Sequence, residues 1–150
     1  MTSFFLDLPR LQYHQALSKL SIENIYLSLM TEDFPSIDIP IMLKLYELYK
    51  FIHIIIRSFP KFERYTLGES LENNILQAMR HAVSANNETK YNKEKYLLAL
   101  GTDAELLKIL IRLAHDTEFI KKQEDYIKIQ SILQEISKMS SGWLKYTRSH

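Results

Sequence analysis

The spacing of apolar residues predicts helices through most of the chain after residue 38. Apolar side chains recur three or four positions apart, which is the period of one helical face. We predict helices over residues 38–59, 66–87, 92–118 and 122–147. The short connections between them favour sequential helices that lie side by side. The predicted fold is therefore all-α, an antiparallel up-down four-helix bundle.

Local signals set the expected helix ends. Asp38 is expected to be the N-cap of the first helix and Pro40 to lie in its first turn, and the proline that follows Phe59 ends it. Thr66 and Glu69 match a capping box, in which each side chain binds the other residue's amide at the start of the second helix. These signals predict that the first helix ends and the second helix begins sharply, on either side of the connection between them.

The first helix has polar residues on one narrow stripe only. Its polar side chains are Lys44, Glu47, Lys50, His53 and Arg57. A helix on a protein surface normally has an apolar arc on one side. We therefore expect this helix either to be central in the bundle or to meet another subunit with its outer face.

The third helix has two possible starts, at Asn92 or at a second capping box formed by Thr102 and Glu105. We favour one helix with Gly101 inside it, at a cost of roughly 1 kcal/mol. Its second half is expected to bury Leu106, Leu107, Leu110, Leu113 and Ala114 and to expose Glu105, Lys108, Arg112 and Asp116. In the fourth helix, the expected seam is Tyr126, Ile129, Leu133, Ile136, Ser140 and Trp143.

Composition narrows the fold and the compartment. The chain has 3 Gly and no Cys in 150 residues, whereas average usage predicts about 10 Gly. Hairpin-rich folds, glycine-cradled phosphate sites, disulfides and thiolate metal sites are therefore not expected. Residues 1–8 lack the basic region of a secretory signal, and the longest apolar run is far shorter than a membrane span. We expect a cytoplasmic protein without a membrane partner.

Charge divides the chain at residue 38. Residues 1–38 carry 2 basic and 5 acidic side chains, a net charge of −3, whereas residues 39–150 carry 17 and 13, a net charge of +4. We interpret residues 1–38 as an N-terminal helical extension and linker, and residues 39–150 as the bundle. Removal of the acidic segment is predicted to strengthen nucleic-acid binding. Equal affinity with and without it would show that the asymmetry is incidental.

Catalytic chemistry has little support. None of the five His residues has a second His or a paired carboxylate at metal-ligand spacing. His53 and His81 are expected to be exposed members of polar stripes. We predict no catalytic residue, no metal site and no cofactor, and hence a protein that is not an enzyme.

Basic residues are the remaining candidates for function, in contact with a nucleic acid or a protein partner. They are Lys61, Arg64, Lys108, Arg112, Lys145 and Arg148, with Lys90, Lys93 and Lys95 in a predicted loop. Lys108 and Arg112 lie one helical turn apart, so either Glu105 and Asp116 offset their repulsion or a phosphate does. Trp143 near Lys145 fits either base stacking or core packing.

Three segments carry a family resemblance: FPKFERYTLG at 59–68, LLKILIRLA at 106–114 and ISKMSSGWLK at 136–145. In that order they resemble the four-helix-bundle family that contains the accessory variability determinant (Avd) proteins of diversity-generating retroelements. The same family includes the bundle proteins encoded in 23S ribosomal RNA intervening sequences. The resemblance covers about residues 39–148, and residues 1–38 have no counterpart in it.

The resemblance implies a homopentameric ring with a basic outer surface. In the retroelement branch, this ring is a non-catalytic scaffold that binds the reverse transcriptase and its template RNA for mutagenic cDNA synthesis. DNA or an RNA/DNA hybrid are alternative ligands. Arg64 lies in the signature turn, and Lys108 with Arg112 matches a basic pair in the third helix of that branch. The alternative is an intervening-sequence-type oligomerisation module whose role is unknown.

Overall fold

The structure, a computed structural model, describes residues 39–150. Four long helices fill this part of the chain: α1 (Pro40–Ile56), α2 (Glu69–Asn87), α3 (Lys90–Asp116) and α4 (Gln123–Ser149). Residues 39–150 contain no β-strand. The prediction of an all-helical chain is thus confirmed for the described residues, which form a helical bundle.

Each helix contributes one apolar face to a single core. α1 and α3 each pack against α2 and α4. The largest fully buried side chains are Leu45, Leu48, Ile52, Phe59, Leu71, Ile75, Leu97, Leu100, Leu107, Ile111, Ile129 and Leu133. Complete burial of one such side chain contributes about 1.5–3 kcal/mol. The 3.6-residue period of the sequence is therefore the direct cause of the bundle.

α1 starts almost where the sequence predicts and ends earlier. Ile39, not Asp38, is the N-cap, and Pro40 lies in the first turn as expected. Asp38 lies outside the described residues. α1 ends at Ile56 rather than at Phe59, because the amides of the next three residues bond to carbonyls only three positions back. This tighter turn places the Phe59 ring in the core, 5.6 Å from the Phe119 ring.

The predicted capping box at Thr66 is wrong. The chain becomes helical already at Lys61 and passes through a π-helical turn, Arg64–Gly68, into α2. No free helix end therefore exists at Thr66, whose hydroxyl instead lies 2.7 Å from the Glu63 carboxylate. At Gly68, a Cβ would lie 2.8 Å from the Ile56 side chain, so a glycine allows this close approach to α1.

α3 is one uninterrupted helix, which confirms the single-helix prediction. Gly101 lies inside it, and a Cβ there would stand 3.7 Å from Ser140 Oγ on α4, an ordinary contact. The helix ends before Glu118, whose φ of 63° is left-handed. Lys90, Lys93 and Lys95 belong to the first turns of α3 rather than to a loop, which corrects that prediction.

The packing of α3 and α4 differs in part from expectation. Leu106 and Leu113 are exposed, contrary to prediction, whereas Ile111 is fully buried. The apolar stripe of α3 is wide enough for two alternative faces, so spacing alone did not identify the inner one. The seam of α4 is confirmed by the burial of Ile129, Leu133, Ile136 and Ser140, with Tyr126 and Trp143 half-buried against the core.

Within residues 39–150, no helix combines the length and the apolar character that crossing a bilayer would require.

Candidate nucleic-acid interface

Four of the six basic candidates lie on α3 and α4, which pack against each other. The Gln130 amide donates to the Lys108 carbonyl at 3.3 Å, and Ser137 Oγ lies 3.4 Å from Glu105 Oε1. Further along, Arg148 on α4 contacts Glu94 on α3. Lys108 and Arg148 therefore lie where these two helices meet, which we name the α3–α4 surface, and Arg112 and Lys145 lie on the same two helices.

Lys108 and Arg112 both have carboxylate partners on α3, as the offset interpretation predicts. Lys108 Nζ lies 2.6 Å from Glu105 Oε1, and Arg112 Nε lies 3.6 Å from Asp116 Oδ2. The hydrogen bond from Lys108 holds the pKa of the Glu105 carboxyl below its ordinary value. The Arg112 side chain is 75% exposed, so its guanidinium stays accessible to an anionic ligand.

At the C-terminal end of α4, Arg148 and Lys145 differ. Arg148 donates to Glu94 Oε1 through Nε at 2.9 Å and Nη2 at 2.6 Å, which ties the end of α4 to the start of α3. Lys145 is exposed and forms no ion pair with any carboxylate in residues 39–150. Trp143 packs against the core, so the exposed ring here is that of Tyr146.

The outward side of α4 carries a feature that the sequence analysis missed. Five of its exposed residues recur three or four positions apart, and we name them the α4 basic face: Ser131, Gln134, Lys138, Ser141 and Lys145. The set contains two cations, three neutral hydrogen-bonding side chains and no carboxylate, and the neighbouring Glu135 carboxylate lies 2.9 Å from Lys44 Nζ on α1. Such a surface can contact phosphates without like-charge repulsion. The sequence contains this signal as polar residues three or four positions apart, on the side of the helix opposite its apolar seam.

Lys61 and Arg64 lie apart from this surface, in the turn between α1 and α2. The Arg64 Nε–H donates to the Phe59 carbonyl at 3.0 Å, so this side chain holds the turn. The turn borders an open hollow of about 590 Å³ whose lining includes Glu63, Glu69 and Leu113. Two carboxylates make this hollow unfavourable for phosphate. The role of Lys61 and Arg64 as partner contacts stays a prediction.

The histidines pair with carboxylates that are distant in sequence. His53 is exposed as predicted and lies 2.5 Å from Glu72. His81 is not an exposed stripe residue: its side chain is largely covered, and Nδ1 lies 2.5 Å from Oδ2 of buried Asp103 on α3. The contact crosses from α2 to α3, so spacing within one helix could not show it. In the described part of the chain, no group of three potential ligands could hold a metal ion.

Comparison with known proteins identifies the family of this chain. No curated protein and no solved structure is significantly similar to the chain. The profile of the bAvd-like family matches residues 40–147, which include α1, α2, α3 and nearly all of α4. The match also covers all three segments that carry the resemblance to Avd proteins. The chain belongs to the bAvd-like family.

Proposed function

We propose that the protein is a non-catalytic accessory protein of a diversity-generating retroelement. As a homopentameric scaffold, it binds the reverse transcriptase and the template RNA during mutagenic cDNA synthesis. Family membership supports a bAvd-type accessory protein. The single observation that carries the RNA-binding part is the α4 basic face, where Lys138 and Lys145 stand among neutral polar side chains without a carboxylate.

The antiparallel arrangement of this scaffold is supported by the order of contacts between helices. Lys44 and Phe51 on α1 contact Glu135 and Lys128 on α4, so residue numbers rise along one helix and fall along the other. The α3 and α4 contacts have the same reversed order: Glu94 with Arg148, Glu105 with Ser137, and Lys108 with Gln130. Each pair is what antiparallel neighbours would form.

Net charge supports binding of a polyanion by the assembled scaffold. Residues 39–150 carry +4, so a pentamer would present about +20 outside its N-terminal segments. We propose that residues 1–38 are an extension to the bundle of residues 39–150 and that their acidic side chains reduce this attraction. Phosphate binding releases counterions, so affinity for RNA should depend strongly on salt.

A gel-shift titration of template RNA with the full chain, over a range of salt concentrations, tests this part of the proposal. We expect binding at low salt that weakens linearly on a log–log plot, with a slope of roughly 0.7 per phosphate contact for a single strand. No binding at low salt would contradict RNA binding by this protein.

The alternative function is an intervening-sequence-type oligomerisation module. It is favoured by the exposed apolar side chains of α1, which include Leu43, Tyr46 and Ile54. Charge reversal at Lys108 and Arg112 separates the two functions, measured by partner capture and by the mass of the assembly. The accessory protein should lose its partner at unchanged mass, whereas the module should have no partner to lose.

A further inference from the structure

Carboxylates on both flanks of the α4 basic face are bound to cations of the same subunit. The pairs and their N–O distances are Glu135 with Lys44 at 2.9 Å, Glu105 with Lys108 at 2.6 Å, and Glu94 with Arg148 at 2.6 Å. Lys138 and Lys145 form no ion pair with a carboxylate among residues 39–150. Their ammonium groups are therefore available to phosphates, beside acidic side chains whose charge is already offset.

The two lysines are separated by small residues. Lys138 and Lys145 are seven positions apart, which is about 10 Å along the helix axis. Ser141 and Gly142 lie between them, one helical turn from each lysine. A Cβ at Gly142 would have no neighbour within 4 Å, so packing inside the subunit does not require this glycine. A glycine weakens a helix but lets the backbone of a ligand approach closely.

The α4 basic face has no aromatic side chain on which a base could stack. α4 contains three aromatic residues, of which Tyr126 and Trp143 pack against the core. The third, Tyr146, stacks on His150 with 4.3 Å between the ring centroids. Proteins that bind single strands without sequence preference combine basic residues with aromatic rings that stack on the bases. The face is therefore better suited to a nucleic acid whose bases are stacked in a duplex.

The packing of α4 limits the grooves that it could contact. Because α1 and α3 both pack against α4, only its outward side can meet a ligand, and the helix cannot enter a deep groove. The major groove of B-DNA is about 8.5 Å deep, and its minor groove, about 6 Å wide, is narrower than the separation of the two lysines. The minor groove of an A-form duplex is wide and shallow, and it displays 2′-hydroxyl groups between two phosphate backbones.

We infer that the α4 basic face binds an A-form duplex that contains RNA, across its minor groove. Lys138 and Lys145 contact phosphates on the two sides of the groove. Ser131, Gln134 and Ser141 contact 2′-hydroxyl groups, for which hydroxyl and amide side chains supply both donors and acceptors. The inference rests on the proposed function, in which this face binds RNA, and adds the kind of RNA structure that it recognises. Such contacts read shape and sugar rather than base sequence.

Fluorescence anisotropy with the full chain and four probes of one sequence and length tests the inference at one fixed salt concentration. The probes are a single-stranded RNA, an RNA duplex, an RNA/DNA hybrid and a DNA duplex. We expect the RNA duplex and the hybrid to bind at least about tenfold more tightly than the other two. The tighter of these two duplexes is the preferred ligand, and either order supports the inference. A DNA duplex or a single-stranded RNA that binds as tightly as the RNA duplex would overturn it.

A variant with Ser131→Ala and Ser141→Ala tests the contacts with 2′-hydroxyl groups. It should lose most of the preference for the RNA duplex over the DNA duplex but keep its salt dependence, because both lysines remain. The control combines Ser58→Ala with Ser70→Ala, at exposed serines outside α4, and should keep the preference. Unchanged binding of the DNA duplex shows that both variants are folded.

An unchanged preference in the α4 variant, or an equal loss in the control, would overturn the inference. Failure of the inference can be distinguished from failure of the proposed function. Tight, salt-dependent binding of the single-stranded RNA would overturn the choice of a duplex and leave RNA binding by the accessory protein intact. Failure of all RNA probes to bind at low salt would contradict both.

Discussion

The α4 basic face and the exposed apolar residues of α1 and α3 follow the same helical period but carry opposite chemistry. All three point outward, with exposed residues three or four positions apart. On α4 the repeating side chains are Ser, Gln and Lys, whereas on α1 and α3 they are mainly Leu, Ile and Tyr. Outward polar cations suit water and polyanions, and outward apolar stripes suit a protein surface. The difference agrees with the proposed function, in which the α4 basic face contacts RNA and an apolar side of the subunit contacts protein.

The largest expected effect is the difference in stability loss between a buried and an exposed residue of α3. Leu107→Ala should reduce the free energy of unfolding by about 2–5 kcal/mol, because it leaves a cavity in the core. Ile109→Ala should change it by less than about 0.5 kcal/mol, because the Ile109 side chain is 65% exposed. Urea denaturation of both variants at the same protein concentration measures the contrast. Similar losses would mean that Ile109 belongs to the subunit core.

The next effect concerns the α4 basic face. Lys138→Glu combined with Lys145→Glu should weaken RNA binding at least tenfold, about 1.4 kcal/mol, and leave the mass of the assembly unchanged. Arg80→Glu combined with Lys121→Glu is the control, because it makes the same change in net charge at exposed positions elsewhere. Gel shifts at one fixed salt concentration compare the two. Equal weakening would show that net charge alone, rather than this face, determines binding.

Much of the fold was predictable from the sequence, and each wrong prediction has a physical cause. Periodicity located the four helices because burial of one face forms them. It misassigned the inner side of α3, because leucines and isoleucines on nearly every side of that helix left two acceptable cores. It missed the pair formed by His81 and Asp103, which depends on α2 meeting α3. The cap at Thr66 failed because a π-helical turn continues the helix through that residue.

A smaller effect tests whether the outer side of α4 is free of packing. A Cβ at Gly142 would have no neighbour within 4 Å, so Gly142→Ala should stabilise the fold by up to about 1 kcal/mol through helix propensity. Gly68→Ala is the opposite case and should destabilise, because its Cβ would lie 2.8 Å from Ile56. Thermal unfolding distinguishes the signs. Destabilisation by Gly142→Ala would show that this side of α4 is covered.

The smallest effect is a loss of folding stability at acid pH, caused by the pair of Lys108 and Glu105 at the α3–α4 surface. Hydrogen bonding from Lys108 lowers the pKa of Glu105, so this pair stabilises the fold above the ordinary pKa of 4.5, and the contribution disappears as pH falls through the lowered value. Exposure limits it to about 0.3–0.5 kcal/mol. Urea denaturation above and below that range should show a smaller decrease for Lys108→Met than for the unsubstituted protein. Identical pH dependence of the two proteins would show that the pair of Lys108 and Glu105 does not stabilise the fold.

The central claim is that this bAvd-like chain is an accessory protein of a retroelement. Capture of a reverse transcriptase tests this claim most directly. The full chain with an affinity tag is co-expressed with the reverse transcriptase and template RNA of a diversity-generating retroelement from the same genome, and the purified complex is weighed by native mass spectrometry. We predict a complex of several copies of this chain with one enzyme and its RNA. Recovery of the chain alone, with enzyme and RNA both expressed and soluble, would contradict the claim.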